Sequence, residues 1–237
     1  MAGIEAHLTL LADASDKCRQ STLASHQIQL GEVHQGDADL VLWLNHLDGP
    51  TVPMMVTARR ELALAEYSAA SGLYRQAFAS LRLFLELNFA AVYFSVNELE
   101  RRRWVSDRFD FSWSSALNSE TGILSGMFVS EFAPDLMMDA TDHSRRAQAC
   151  YRYCSQFIHG KHKDSERLPT TLEYSSDVLT EWCEKAKQAT EVVLFVLYVR
   201  YGDIANDKAN DDLRTMLLTR FNHISQIRSR LGGVSNG

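Results

Sequence analysis

The four prolines of the chain stand at positions 50, 53, 134 and 169, so the long stretch from Met54 to Ala133 contains none. Proline removes a backbone donor and clashes with the preceding turn, and its absence over such a length permits uninterrupted helices. Apolar residues in this stretch recur at spacings of three and four. No sustained alternation of the kind a half-buried strand requires is found along the chain. The fold class is therefore read as all-α, an antiparallel helical bundle.

Local signals place its centre. Thr51 suits an N-cap and Pro53 the first turn of a helix, and the run to Ser71 is rich in Ala, Leu, Glu and Arg before Gly72 interrupts it. A second helix is expected from about Leu73 to Val105, which makes a long central helical hairpin. Upstream, a helix over residues 4 to about 30 carries Leu8, Leu11, Cys18 and Leu23. It is followed by a polar break at GEVHQGDAD and a short segment, LVLWLNHL. Residues 106 to 140 hold Gly122, Gly126 and Pro134 and are expected to form short helices and loops.

Thr141 or Asp142 is placed as the cap of the next helix, ending near Gly160, and the polar loop KHKDSERLPT follows. Ser175 or Ser176 starts another, with Leu179, Trp182, Ala186, Ala189, Val193 and Leu197 on its core face and an end near Gly202. Leu213, Leu217, Phe221, Ile224, Ile227 and Leu231 form a last amphipathic stripe. The organisation expected is an N-terminal helical extension over 1–50, a bundle over 51–205, and a C-terminal helix over 206–237 that packs on the bundle or on a second copy.

A net charge of −6 and a pI near 5.7 give no global attraction to nucleic acid or an anionic membrane. Any anionic partner must be met locally. The four cysteines form no C-x-x-C pair and read as buried thiols of a reducing compartment. The N-terminus lacks the basic start and continuous apolar core of a signal peptide, and the longest apolar run, VVLFVLYV, is far shorter than the roughly 20 residues of a membrane span. A cytoplasmic protein with no membrane partner is expected. The P-loop, dinucleotide-binding and nucleophile-elbow motifs are missing, and HGKH has no second cluster of ligating residues, so neither a cofactor nor a metal is expected.

The segment from 141 to 170 reverses the overall charge, with a net of +3. Within it, YRYCSQFIHGKH places Arg152, Ser155, Gln156 and His159 at i, i+3, i+4 and i+7, one polar stripe along a helix whose other residues look like core. An RNA phosphate would find its best landing place here, with Arg145, Arg146, Gln156, Lys161, His162 and Lys163 as the contacting candidates.

Arg152 followed by six residues and His159 fits the R-x4-6-H pattern of the HEPN superfamily, all-α proteins of bacterial toxins, abortive-infection systems and RNA-processing enzymes. The sequence resembles that family in two further places. Leu81, Arg82 and Glu86 match an "LR…E" segment of its hairpin helix, and YCSQFIHGKH is similar to the "Y..LS.fvHG" ending of its motif helix. The resemblance covers roughly residues 53 to 200. It implies a metal-independent ribonuclease acting as a homodimer, an effector or toxin of antiphage defence or of a toxin–antitoxin pair, with an antitoxin or other protein as partner. In that reading His159 is general base or acid on the ribose, and Arg152 stabilises charge on the scissile phosphate. Tyr153 departs from the small polar residue that strongly nucleolytic members carry after the motif arginine.

A second reading stays open beside it, a catalytically inert HEPN-like module that binds protein or nucleic acid. There Arg152 pairs with Glu86 or another buried acid, Ser155 and Gln156 bond across the bundle, and His159 caps the helix end. Arg82 and Glu86 read as an i, i+4 helix pair in either case.

Overall fold

The computed structural model describes residues 3–158, 166–207 and 210–232. Among them are ten α-helices, one 3-10 turn and no strand, the all-α bundle expected. In chain order the helices are α1 (Gly3–Leu44), α2 (Val52–Ala70), α3 (Tyr74–Phe94), α4 (Glu98–Val105), α5 (Trp113–Ala116) and α6 (Gly126–Phe132). After the 3-10 turn Pro134–Leu136 come α7 (Met137–Ile158), α8 (Ser176–Asn206), α9 (Asp211–Phe221) and α10 (Ser225–Arg230).

The central hairpin turns where Gly72 places it, whereas the side chain of Thr51, the expected cap of α2, makes no capping bond. Gly72 takes φ +78°, and Leu73 N–H returns to the Ser68 carbonyl at 2.8 Å, the closing bond of a left-handed helix stop. α3 then ends at Phe94, short of the expected Val105. Ser95 Oγ donates to the Val92 carbonyl at 2.7 Å and Asn97 Nδ2 to that of Tyr93 at 2.9 Å, so side chains compete for the last carbonyls and the chain restarts as α4.

The two central helices are α3 and α8. Phe78, Leu81, Phe84, Leu85 and Phe89 of α3 are fully buried, as is every residue from Val192 to Val199 of α8. A helix apolar all round is stable only when neighbours surround it, and α1, α3 and α7 all pack on α8. α3 is the one described helix long and apolar enough to cross a membrane, with 61 % of its most apolar window buried in the bundle.

α1 corrects the sequence reading. The expected polar break at 31–39 is helical, and the single departure from helical backbone is at His26 (φ −130°, ψ 19°). The polar residues there find distant partners instead of forming a turn. Arg59 donates to both oxygens of Asp37 at 2.6 and 2.9 Å, and Arg220 Nε donates to the buried Asp39 at 2.5 Å. Gly36 lets α1 lie flush on α8, since a Cβ there would sit 2.6 Å from Thr190 Cγ2.

α7 begins at Met137, before Thr141 and Asp142, because Pro134 opens a 3-10 turn that leads straight into it. Thr141 Oγ1 bonds back to the Met137 carbonyl inside the helix. Ser175 caps α8 as expected, accepting from Val178 N–H, and α8 passes Gly202 to end at Asn206. The C-terminal stripe folds as two helices separated at Asn222–Ile224. All six of its apolar residues are buried, and α9 packs on α1 and α8.

Candidate functional site

The site is carried by α7. Ala140, Ala147, Cys150, Cys154 and Phe157 recur at three, four and seven residues and are buried, which leaves the opposite side of the helix outward. Arg152 stands on that outer side and is exposed. Its Nε folds back to the Gln148 carbonyl at 3.3 Å, and among the described residues no carboxylate pairs with it.

The partner proposed for Arg152 in the structural reading is taken by its neighbours. Glu86 Oε1 receives Arg82 Nη2 at 2.9 Å and the Tyr151 hydroxyl at 2.7 Å, and Arg82 Nη2 also donates to the Tyr151 oxygen at 2.5 Å. Arg82 and Glu86 are thus the helix pair expected, closed into a triangle by Tyr151. The Tyr151 ring stacks on Trp113 at 4.3 Å and 10°, with the Arg82 guanidinium 4.6 Å from its centroid. Burial, and then Glu86 accepting its proton, push the Tyr151 hydroxyl above the usual phenol range, so it stays a donor at neutral pH.

Beside this stack lies a groove of about 320 Å³ lined by Trp113, Ser114, Leu117, Gln148, Tyr151 and Arg152. Its lining combines two aromatic rings with a guanidinium and an amide, groups that can stack on a flat ring and bind an anion. Trp113 belongs to the stretch where the sequence offers no periodicity, and stacking on Tyr151 is what brings it here. Nothing in the spacing of the two residues signals that contact.

The remaining candidates are placed on different sides of α7. Arg145 is exposed on the same side as Arg152, seven residues earlier, and pairs with Asp142. Arg146 faces α8, where it donates to Glu191 at 2.8 Å. Burial raises the Glu191 carboxyl, but this guanidinium outweighs it and holds the group below its ordinary value. Ser155 bonds the Tyr151 carbonyl of its own helix at 2.8 Å, and Gln156 is half-buried with no hydrogen-bond partner among the described residues. The stripe therefore does not tie helices together across the bundle there. The end of α7 is capped by Arg75, whose Nη1 donates to the Phe157 carbonyl at 2.9 Å. His159, Lys161, His162 and Lys163 lie outside the described residues.

Behind Arg152, Tyr153 forms a second network. Its hydroxyl donates to Glu181 and receives Arg167 Nη2 at 3.2 Å, while Arg167 grips both Glu181 oxygens at 2.6 Å. Burial and Glu181 push Tyr153 up to about 12. Cys150 and Cys154 are buried, the Cys150 thiol donates to the Lys185 carbonyl at 3.5 Å, and the neighbouring Cys150 together with burial holds the Cys154 thiol well above its ordinary value. Among the described residues no group of His, Cys, Asp and Glu is arranged to hold a metal ion. Comparisons with protein-family models, curated proteins and solved structures found no match to the chain.

Proposed function

We propose that the chain is a HEPN-like, metal-independent ribonuclease, an effector or toxin of bacterial antiphage defence or of a toxin–antitoxin pair. It works in the cytoplasm as a homodimer whose composite site takes Arg152 and His159 from each copy. The observation that carries this reading is the state of Arg152. It is an exposed guanidinium on the outer side of α7, unclaimed by any described carboxylate, at the lip of an aromatic groove. An arginine kept for structure is ordinarily spent on a carboxylate, as Arg82 and Arg146 are. One left open in a locally basic segment is available to a phosphate, which it binds through a planar fork of donors. His159 would supply the proton transfer that the 2′-hydroxyl needs.

The deciding experiment is cleavage of labelled total RNA by purified protein in excess EDTA, with Arg152→Ala and His159→Ala compared after both are shown to be folded. Cleavage that leaves cyclic phosphate ends and is lost in both variants is expected. RNA binding without cleavage, weakened by Arg152→Ala alone, would assign the chain to the inert module. Neither binding nor cleavage would end the RNA reading altogether.

A further inference from the structure

The junction of α6 and α7 is built from a stretch of opposite charge, bordered by Arg200, which stacks on Phe132, by Arg230, which pairs with Asp135, and by Arg145 two turns further along α7. Between Arg108 and His143 the sequence contains six carboxylates and no lysine, arginine or histidine. The same stretch contains Met127, Met137 and Met138, and these are exposed to 59 %, 36 % and 83 %, whereas Met54, Met55 and Met216 are buried. The three exposed methionines lie at the junction of α6 and α7. The Met137 sulfur rests 3.6 Å from where a Cβ on Gly126 would stand, which sets it beside Met127 at the start of α6.

Carboxylates frame them. Glu131 is one helical turn beyond Met127, and Asp139 adjoins Met138. Neither has an ion-pair partner among the described residues. Asp135, between α6 and α7, is paired with Arg230 yet keeps 58 % of its side chain exposed.

Exposed methionine is an adaptable apolar contact, because an unbranched, polarizable side chain repacks around many shapes. A frame of carboxylates, two of them without an ion-pair partner among the described residues, selects among those shapes by charge. An anionic membrane or an acidic helix is repelled, and in a two-fold contact between copies each carboxylate frame would meet its own equivalent. We propose that this surface docks a basic amphipathic helix of a partner protein, whose apolar stripe covers the methionines and whose lysines and arginines meet Glu131, Asp135 and Asp139. None of the residues assigned to RNA takes part, so the inference stands apart from the ribonuclease reading.

The test uses the full chain with methyl-labelled methionine and a synthetic leucine–lysine peptide of about 18 residues, long enough to form a helix, with its leucines on one face. The expected result is movement of the Met127, Met137 and Met138 methyl signals while those of Met54, Met55 and Met216 stay in place. Affinity should fall at least about tenfold in a Met127→Ser, Met138→Ser double variant and in a separate Glu131→Lys, Asp139→Lys variant. Met127, Met138 and Glu131 are exposed, so the methionine variant should keep the wild-type unfolding midpoint. Asp139 is half-buried in the first turn of α7, so the lysine variant is first shown to be folded by circular dichroism. Equal binding of a scrambled peptide of the same composition would overturn the proposal, as would binding of a leucine–glutamate peptide or an absence of methyl shifts. Sedimentation showing that the methionine variant loses self-association would overturn it too, by giving the surface to a second copy.

Discussion

Tyr151 donates its hydroxyl hydrogen to Glu86 across the α3–α7 interface at 2.7 Å, and the next residue, Arg152, projects to solvent. Adjacent side chains on a helix diverge by roughly 100°, so one residue locks the helix in place and the other is left free for an external partner. The same contact decides which of the two is structural. Tyr151→Phe leaves Glu86 half-buried with Arg82 as its remaining partner and should cost about 1–2 kcal/mol, read as a shift of the urea midpoint at unchanged slope.

Arg152→Ala, by contrast, removes a side chain whose hydrogen bond among the described residues is to its own helix. Its stability should match wild type to within about 0.5 kcal/mol, while RNA affinity or cleavage falls. A loss of stability comparable to that of Tyr151→Phe would return Arg152 to a structural role.

His143 gives the fold an acid-sensitive point. Its Nδ1 is 2.7 Å from the Asp139 carbonyl, to which it donates, and its ring stacks on Phe195 at 3.7 Å. Nε2 is buried without a partner among the described residues. Burial, helped by Arg146, outweighs the Asp139 carbonyl, Glu191 and Asp142 and lowers its pKa. The unfolded chain therefore takes up this proton before the folded one does. The contribution of His143 is complete above the ordinary histidine range and is lost as pH falls through it. Urea unfolding at pH 7.5 and 5.5 should show the decline, and His143→Phe should make it smaller.

Gly36→Ala should destabilise the chain by about 1–3 kcal/mol, because the added methyl enters the space of Thr190 Cγ2 where α1 crosses α8. Thr190→Ser removes that methyl and should restore part of the loss. Simple addition of the two effects in a thermal-melt cycle would show that the contact is not what limits the site.

The parts of the fold that were legible are those specified by neighbouring residues. Gly72 and Ser175 act within one or two turns of themselves and appear where they were expected. The apolar residues from Leu213 to Leu231 are buried as their spacing implies, although they fold as two helices and not one. The misread parts depend on partners far along the chain. The polar run at 31–39 looks like a break until Arg59 and Arg220 arrive to satisfy Asp37 and Asp39. The candidate site divides in the same way. Arg152 was visible from its spacing, whereas Trp113 reaches the groove by a tertiary stack, and Arg75 caps α7 from the far side of the hairpin.

The pairing of Asp39 with Arg220 also sets an order of events in time. These residues are 181 positions apart, and Asp39 is 2 % exposed in the finished bundle. During synthesis from the N-terminus the carboxylate is made long before its guanidinium, and burying it alone costs several kcal/mol. Gln35 of the same helix donates to Asp39 at 3.0 Å but brings no charge, so the middle of α1 is expected to stay open to water until the helix that carries Arg220 has emerged. α1, translated before every other described helix, is among the last of them to be fastened down.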